Sequence, residues 1–136
     1  MTICALLPFL LGSLAEDPSR ADWHCRNDFE VRCNDGTCIV VDRQESSTMD
    51  VSFNYSGEFS VCAYSGCWSG TGSVLSTSPF FVISKQDAEW SFQPNRKSNA
   101  ENVLIAFDPK DKVASVKVGG FVHPFTCTSG DSQSGD

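Results

Sequence analysis

The reactive side chains of this sequence are mostly cysteines: Cys25, Cys33, Cys38, Cys62, Cys67 and Cys127, with a seventh, Cys4, close to the start. Thiols at such spacings either hold a soft metal or pair as disulfides. The two Cys-x4-Cys pairs are wider than the Cys-x2-Cys hook of many zinc sites, and Cys25 and Cys127 lie far from both, so no metal site is expected. Only two imidazoles are present, His24 and His123. They read as exposed strand residues near the chain ends rather than as ligands sharing a metal with Asp22 or Asp28. Ser65 sits on a turn in Tyr64-Ser65-Gly66-Cys67, but no Gly-x-Ser-x-Gly elbow makes it a nucleophile. Asp87 with Glu89 and Asp108 with Asp111 are spaced for acid–base work on sugars. Both pairs fall at strand ends or turns, where acids act as solvated caps. Gly70-Thr71-Gly72 has no following helix or lysine and is no phosphate loop. Asn54-Tyr55-Ser56 fits the N-glycosylation acceptor pattern, which matters only in a eukaryotic secretory pathway. The chain therefore reads as non-enzymatic, with no cofactor.

The N-terminus sets the compartment. Met1 to Gly12 is an uncharged apolar run, and Ser13-Leu14-Ala15 places small residues at the −3 and −1 positions of a cut after Ala15. That is the shape of a secretory signal peptide over residues 1–15. It is too short to span a bilayer, which takes about 20 residues. Cleavage removes Cys4 and leaves six cysteines, an even count that in an exported chain reads as three disulfides. A periplasmic or secreted location follows.

Six cysteines allow 15 pairings. Local geometry favours Cys33–Cys38, because Asp35-Gly36 suits a two-residue hairpin turn whose central residues need positive φ, and Cys33 then faces Cys38. Cys62–Cys67 has the same spacing, but Ser65-Gly66 is off-centre, so this hairpin is expected to need a four-residue loop. Cys25 and Cys127 remain, and their link would tie the first strand to the last. Closing a loop of about 100 residues contributes about 4–5 kcal/mol in the chain-entropy model.

Nearly everything between these cysteines alternates with period two. Phe29, Val31 and Cys33 lie on one face, opposite Glu30 and Arg32. Val51, Phe53 and Tyr55, then Phe59, Val61 and Ala63, then Ala88, Trp90 and Phe92, then Val103, Ile105 and Phe107, then Ala114, Val116 and Val118 form further faces. Asp108-Pro109-Lys110-Asp111 is a turn. Phe121 to Cys127 is a last strand in which Pro124 marks an edge or a bulge. Pro79 to Ile83 is apolar on both sides, as in a central strand or one under a covering loop. The prediction is an all-β, antiparallel barrel or closed sandwich of about eight to ten short strands, stapled by disulfides, over residues 23–127. Residues 16–22 form a flexible leader and 128–136 a disordered tail.

The 17 acidic against 10 basic residues give a net charge of −7, which argues against nucleic acid or an anionic membrane as partner. Fifteen aromatics in so short a chain supply a core, and they also permit an apolar cavity for a carried ligand. The strongest candidate surface is the segment Ala63 to Gly72. It sets Tyr64, Ser65, Gly66 and Trp68 at a possible staple, and a constrained loop with aromatics binds at low entropic cost.

In layout, residues 23–127 resemble the bacterial periplasmic inhibitors of c-type lysozyme. Cys25 and Cys127 match the bridge that closes that family's eight-stranded antiparallel barrel. Val118-Gly119-Gly120-Phe121 and the closing Cys127 are similar to the family's end. Ser65-Gly66, or less well Ser56-Gly57, matches its inhibitory loop. The resemblance implies a non-enzymatic exported binding protein whose partner is a basic protein such as a lysozyme, toward which an acidic inhibitor is steered. The alternatives are a small apolar ligand carrier and a hydrolase.

Overall fold

A computed structural model describes residues 22–27, 29–42, 44–46, 48–63, 66–91 and 100–130. The expected signal peptide, nearly all of the leader and the tail from 131 onward lie outside them.

Eleven strands carry the alternation into structure: β1 (Trp23–Arg26), β2 (Glu30–Asn34), β3 (Thr37–Val41), β4 (Asp50–Phe53), β5 (Glu58–Ala63), β6 (Gly66–Thr71), β7 (Ser73–Ser76), β8 (Phe81–Trp90), β9 (Glu101–Asp108), β10 (Val113–Val118) and β11 (Phe121–Ser129). Eight of them close an antiparallel barrel in the order β1-β4-β5-β6-β8-β9-β10-β11, with β11 returning to β1. The other three are additions outside the ring. β2 joins β11 and carries β3 as an outer hairpin, and β7 lies along β8.

Period-two patterning builds this wall because alternate residues point to opposite faces. Val51 and Phe53, Phe59 and Val61, Phe81 and Ile83, Ile105 and Phe107, and Val116 and Val118 all point inward and are nearly or fully buried. Each such side chain contributes roughly 1.5–3 kcal/mol when taken out of water. At one end, the ring centroids of Trp23–Phe107, Tyr55–Phe81 and Phe53–Phe107 lie 4.5, 4.8 and 5.2 Å apart. The doubly apolar stretch resolves as a central strand. β8 is flanked by β7 and β9, and Pro79 and Phe80, just before it, are turned to solvent.

Three disulfides, Cys25–Cys127, Cys33–Cys38 and Cys62–Cys67, join directly opposed residues, with Cα–Cα distances of 4.0, 4.1 and 4.0 Å. Asp35 (φ 47°) and Gly36 (φ 77°) both take the left-handed conformation that the tight Cys33–Cys38 hairpin requires. The Cys62–Cys67 hairpin differs from expectation. Its ladder continues one rung past the bridge, pairing Ala63 with Gly66, so only Tyr64 and Ser65 join the two strands. The last strand also outruns its expected end. It continues to Ser129, and the N–H of Gly130 donates to the carbonyl of Asp22 at 2.7 Å. Three bridges in a small β fold are consistent with an oxidising, extracellular setting.

Candidate functional site

One end of the barrel gathers the features with chemical content. There β5 turns into β6, β8 ends, β10 turns into β11, and the chain passes from β1 to β2. The Cys62–Cys67 staple sits at this end.

The base of the stapled hairpin is held by the end of β8. The backbone N–H of Ser91 donates to the carbonyl of Cys67 at 2.9 Å, and the N–H of Cys67 donates to Ser91 Oγ at 3.1 Å. Trp90 lies over Gly66 so closely that a Cβ there would stand 2.4 Å from its ring. Only glycine at position 66 leaves room for the indole. Substituting Gly66→Ala is therefore expected to cost about 1–3 kcal/mol and to displace Trp90. Chemical denaturation and tryptophan fluorescence check this, and an unchanged emission maximum with unchanged stability would contradict it.

Of the four residues singled out from sequence, Gly66 and Trp68 are buried parts of this support. Trp68 is 8% exposed, with its ring 4.4 Å from Trp90 and 6.4 Å from Phe121. Its indole is buried against Trp90 and Phe121. Tyr64 and Ser65 lie outside the described residues.

From Trp68 the ring contacts continue through Phe121 to His123 and Phe125, with 5.8 Å between centroids at each of the last two steps. His123 is the principal departure from the sequence reading. Expected to be exposed, it is 1% exposed and points into the barrel. The cause is strand parity, because His123 shares the inward face of β11 with Phe125 and Cys127. That signal was present in the sequence.

The imidazole is held by the chain entering β2. The N–H of Val31 donates to His123 Nδ1 at 2.9 Å, while Nε2 is buried with no hydrogen-bond partner. Glu30, expected on the solvent side, is fully buried, and Arg32 Nε donates to its Oε1. Burial holds the His123 pKa below its ordinary value, and the nearby Glu30 charge partly opposes that shift. Glu30 is inward because β2 does not continue β1 in register. The chain leaves β11 after Arg26 and returns to pair at Arg32 with Phe121. Pro124 fills the gap, where no partner strand needs its missing N–H, and Asn27 Nδ2 donates to its carbonyl at 3.3 Å. A shallow groove of about 280 Å³ marks this place, lined in part by Arg26, Asn27, Phe29 and Pro124.

The remaining sequence candidates separate. His24 points outward from β1 and His123 inward from β11, so the imidazoles stand on opposite sides of the wall. Among the described residues no group of three His, Cys, Asp or Glu side chains is placed to hold a metal ion. Asp108 Oδ1 accepts the N–H groups of Lys110 and Asp111 at 2.9 and 3.3 Å, a turn-anchoring role. Asn54 does the same for the β4–β5 turn. Its Oδ1 accepts from the N–H of Ser56 and of Glu58, and its Nδ2 donates to Glu58 at 2.7 Å. These side chains shape loops in the way short polar residues commonly do.

Comparison with protein families, curated proteins and solved structures finds no match for this chain. The geometry offers a disulfide-stapled hairpin base at the end of a packed barrel.

Proposed function

We propose that this protein is an exported, non-enzymatic binding protein of the cell envelope, and that the tip between β5 and β6 enters the cleft of a basic partner, a c-type lysozyme. The observation that carries the reading is the double clamp on that tip. Cys62–Cys67 closes it, and Ser91 and Trp90 hold its base. A hairpin whose base is held in this way has less conformational freedom to lose on binding. The charge of −7 suits a basic partner and favours fast encounter at low salt. The side chains of Phe53, Phe81, Ile83, Ile105 and Phe107 occupy the interior, which speaks against the alternative of a ligand carried inside.

The test is lysis of bacterial cells by a c-type lysozyme with the oxidised protein added at micromolar excess. Inhibition is expected, with weaker encounter at high salt and at least a tenfold loss of potency in Tyr64→Ala and Ser65→Ala. Undiminished lysis would remove the lysozyme reading. Inhibition that survives both substitutions would remove the tip.

A further inference from the structure

The barrel proper leaves no open edge, but the outer hairpin does. Among the described residues β3 pairs with β2 alone. We propose that β3 is a self-association edge, at which two copies of this chain join by antiparallel pairing about a twofold axis through Ile39.

The backbone sets which groups are available. The N–H groups of Val31 and Cys33 leave β2 on the β11 side, toward His123 Nδ1 and the carbonyl of Gly120. Their neighbours Arg32 and Asn34 therefore face β3, opposite Ile39 and Thr37. Alternation then turns the N–H and C=O groups of Cys38 and Val40 outward. These two residues are symmetric about Ile39. In a twofold antiparallel pair, Cys38 of one copy stands opposite Val40 of the other, and the reverse. Both exchanges are made with the same rung geometry, giving four N–H···O=C bonds. Ile39 meets its own copy at the closer, non-hydrogen-bonded rung.

The side chains agree with that occupant. Ile39 is 58% exposed and Val40 72% exposed, two large apolar side chains turned to solvent side by side on one strand. Thr37–Val41 has no charge, proline or bulge, the usual devices that keep an edge unpaired. The other added strand, β7, does carry such a device, a register irregularity between Val74 and Ser76. An uncharged strand is also the part of a −7 chain that a second copy approaches with least repulsion. A strand pair of this length buries less than the roughly 1,600 Å² of a standard interface, so association is weak. It strengthens as salt screens the net charge.

Sedimentation equilibrium of the oxidised protein between 5 µM and 1 mM tests this. A reversible monomer–dimer equilibrium is expected. Val40→Pro removes an outward N–H without touching the β2 ladder, and Ile39→Lys sets two like charges across the axis. Each should raise the dissociation constant at least tenfold, with the circular dichroism spectrum and melting temperature near those of the parent. Mixing Ile39→Lys with Ile39→Glu should restore dimers. A monomer throughout, a dimer unaffected by both substitutions, or open-ended growth would each overturn the proposal. None of these outcomes bears on lysozyme inhibition.

Discussion

Replacing Cys25 and Cys127 together by alanine is expected to lower the unfolding free energy by about 4 kcal/mol, the largest effect of any single bridge. The two residues are 102 apart in sequence, against 5 for each of the other pairs. In the chain-entropy model the cost of closing a loop grows with the logarithm of its length. A hairpin bridge is then worth about 2 kcal/mol and the terminal one more than twice that. The location adds to the difference. Cys25 and Cys127 are 1% and 4% exposed and lie on the β1–β11 seam, where the sheet meets itself. For a domain near 100 residues, 1 kcal/mol shifts the melting temperature by about 4–8 °C, so a drop of roughly 15–30 °C is expected. The Cys33→Ala/Cys38→Ala variant should lose about half as much. Urea unfolding of both variants decides the matter. Equal losses would show that loop length is not what the terminal bridge supplies. A loss under about 1 kcal/mol would show that the hydrogen-bonded seam closes the barrel unaided.

The second large effect is a fall in stability on mild acidification, carried by His123. Its pKa in the folded barrel is held below the ordinary 6.5, mainly because burial disfavours the cation, with Glu30 opposing in part. The unfolded chain therefore takes up a proton near pH 6.5 that the folded chain refuses. Stability from this group is fully present above the unfolded pKa and declines as pH falls through it toward the folded value. The slope is at most about 1.4 kcal/mol per pH unit for one histidine. The structural reason is that Nδ1 already accepts the N–H of Val31 and Nε2 has no acceptor beside it. With Nδ1 accepting, the neutral ring carries its proton on Nε2, so the added proton must go to Nδ1 and would break the bond that holds the start of β2. His123→Phe should flatten the profile between pH 7 and 5, although it starts lower at neutral pH by about 1–3 kcal/mol because the Val31 N–H loses its acceptor. Urea midpoints of both proteins at pH 7.5, 6.5 and 5.5 give the comparison. Parallel profiles would mean that carboxylates, not His123, carry the acid sensitivity.

The all-β class and the inward faces were legible in the residues because strand geometry has a period of two and the sequence repeats that period nearly throughout. Val103, Ile105 and Phe107 or Ala114, Val116 and Val118 needed only to be counted. The tight turn at Asp35-Gly36 was legible for a similar reason, as few residue pairs tolerate two successive positive φ angles. Glu30 shows where such counting fails. It shares its face with the exposed Arg32 and Asn34, yet it is buried, because the chain leaves β11 after Arg26 and re-enters beside Phe121, which brings the first residue of β2 close to His123. That step depends on Pro124 and Asn27, which are remote from Glu30 along the chain or silent about register. His123 is the converse case, since its parity with Phe125 placed it inside, while its being an imidazole suggested the surface. At the candidate site the staple could be anticipated from spacing, but its support could not. Gly66 under Trp90 and Cys67 bonded to Ser91 are contacts across more than 20 residues that no local pattern encodes. Local preferences and periodicity belong to the sequence. Closure of the ring, the burial of Glu30 and His123, and the open edge at β3 belong to the tertiary structure, because each depends on which strands become neighbours.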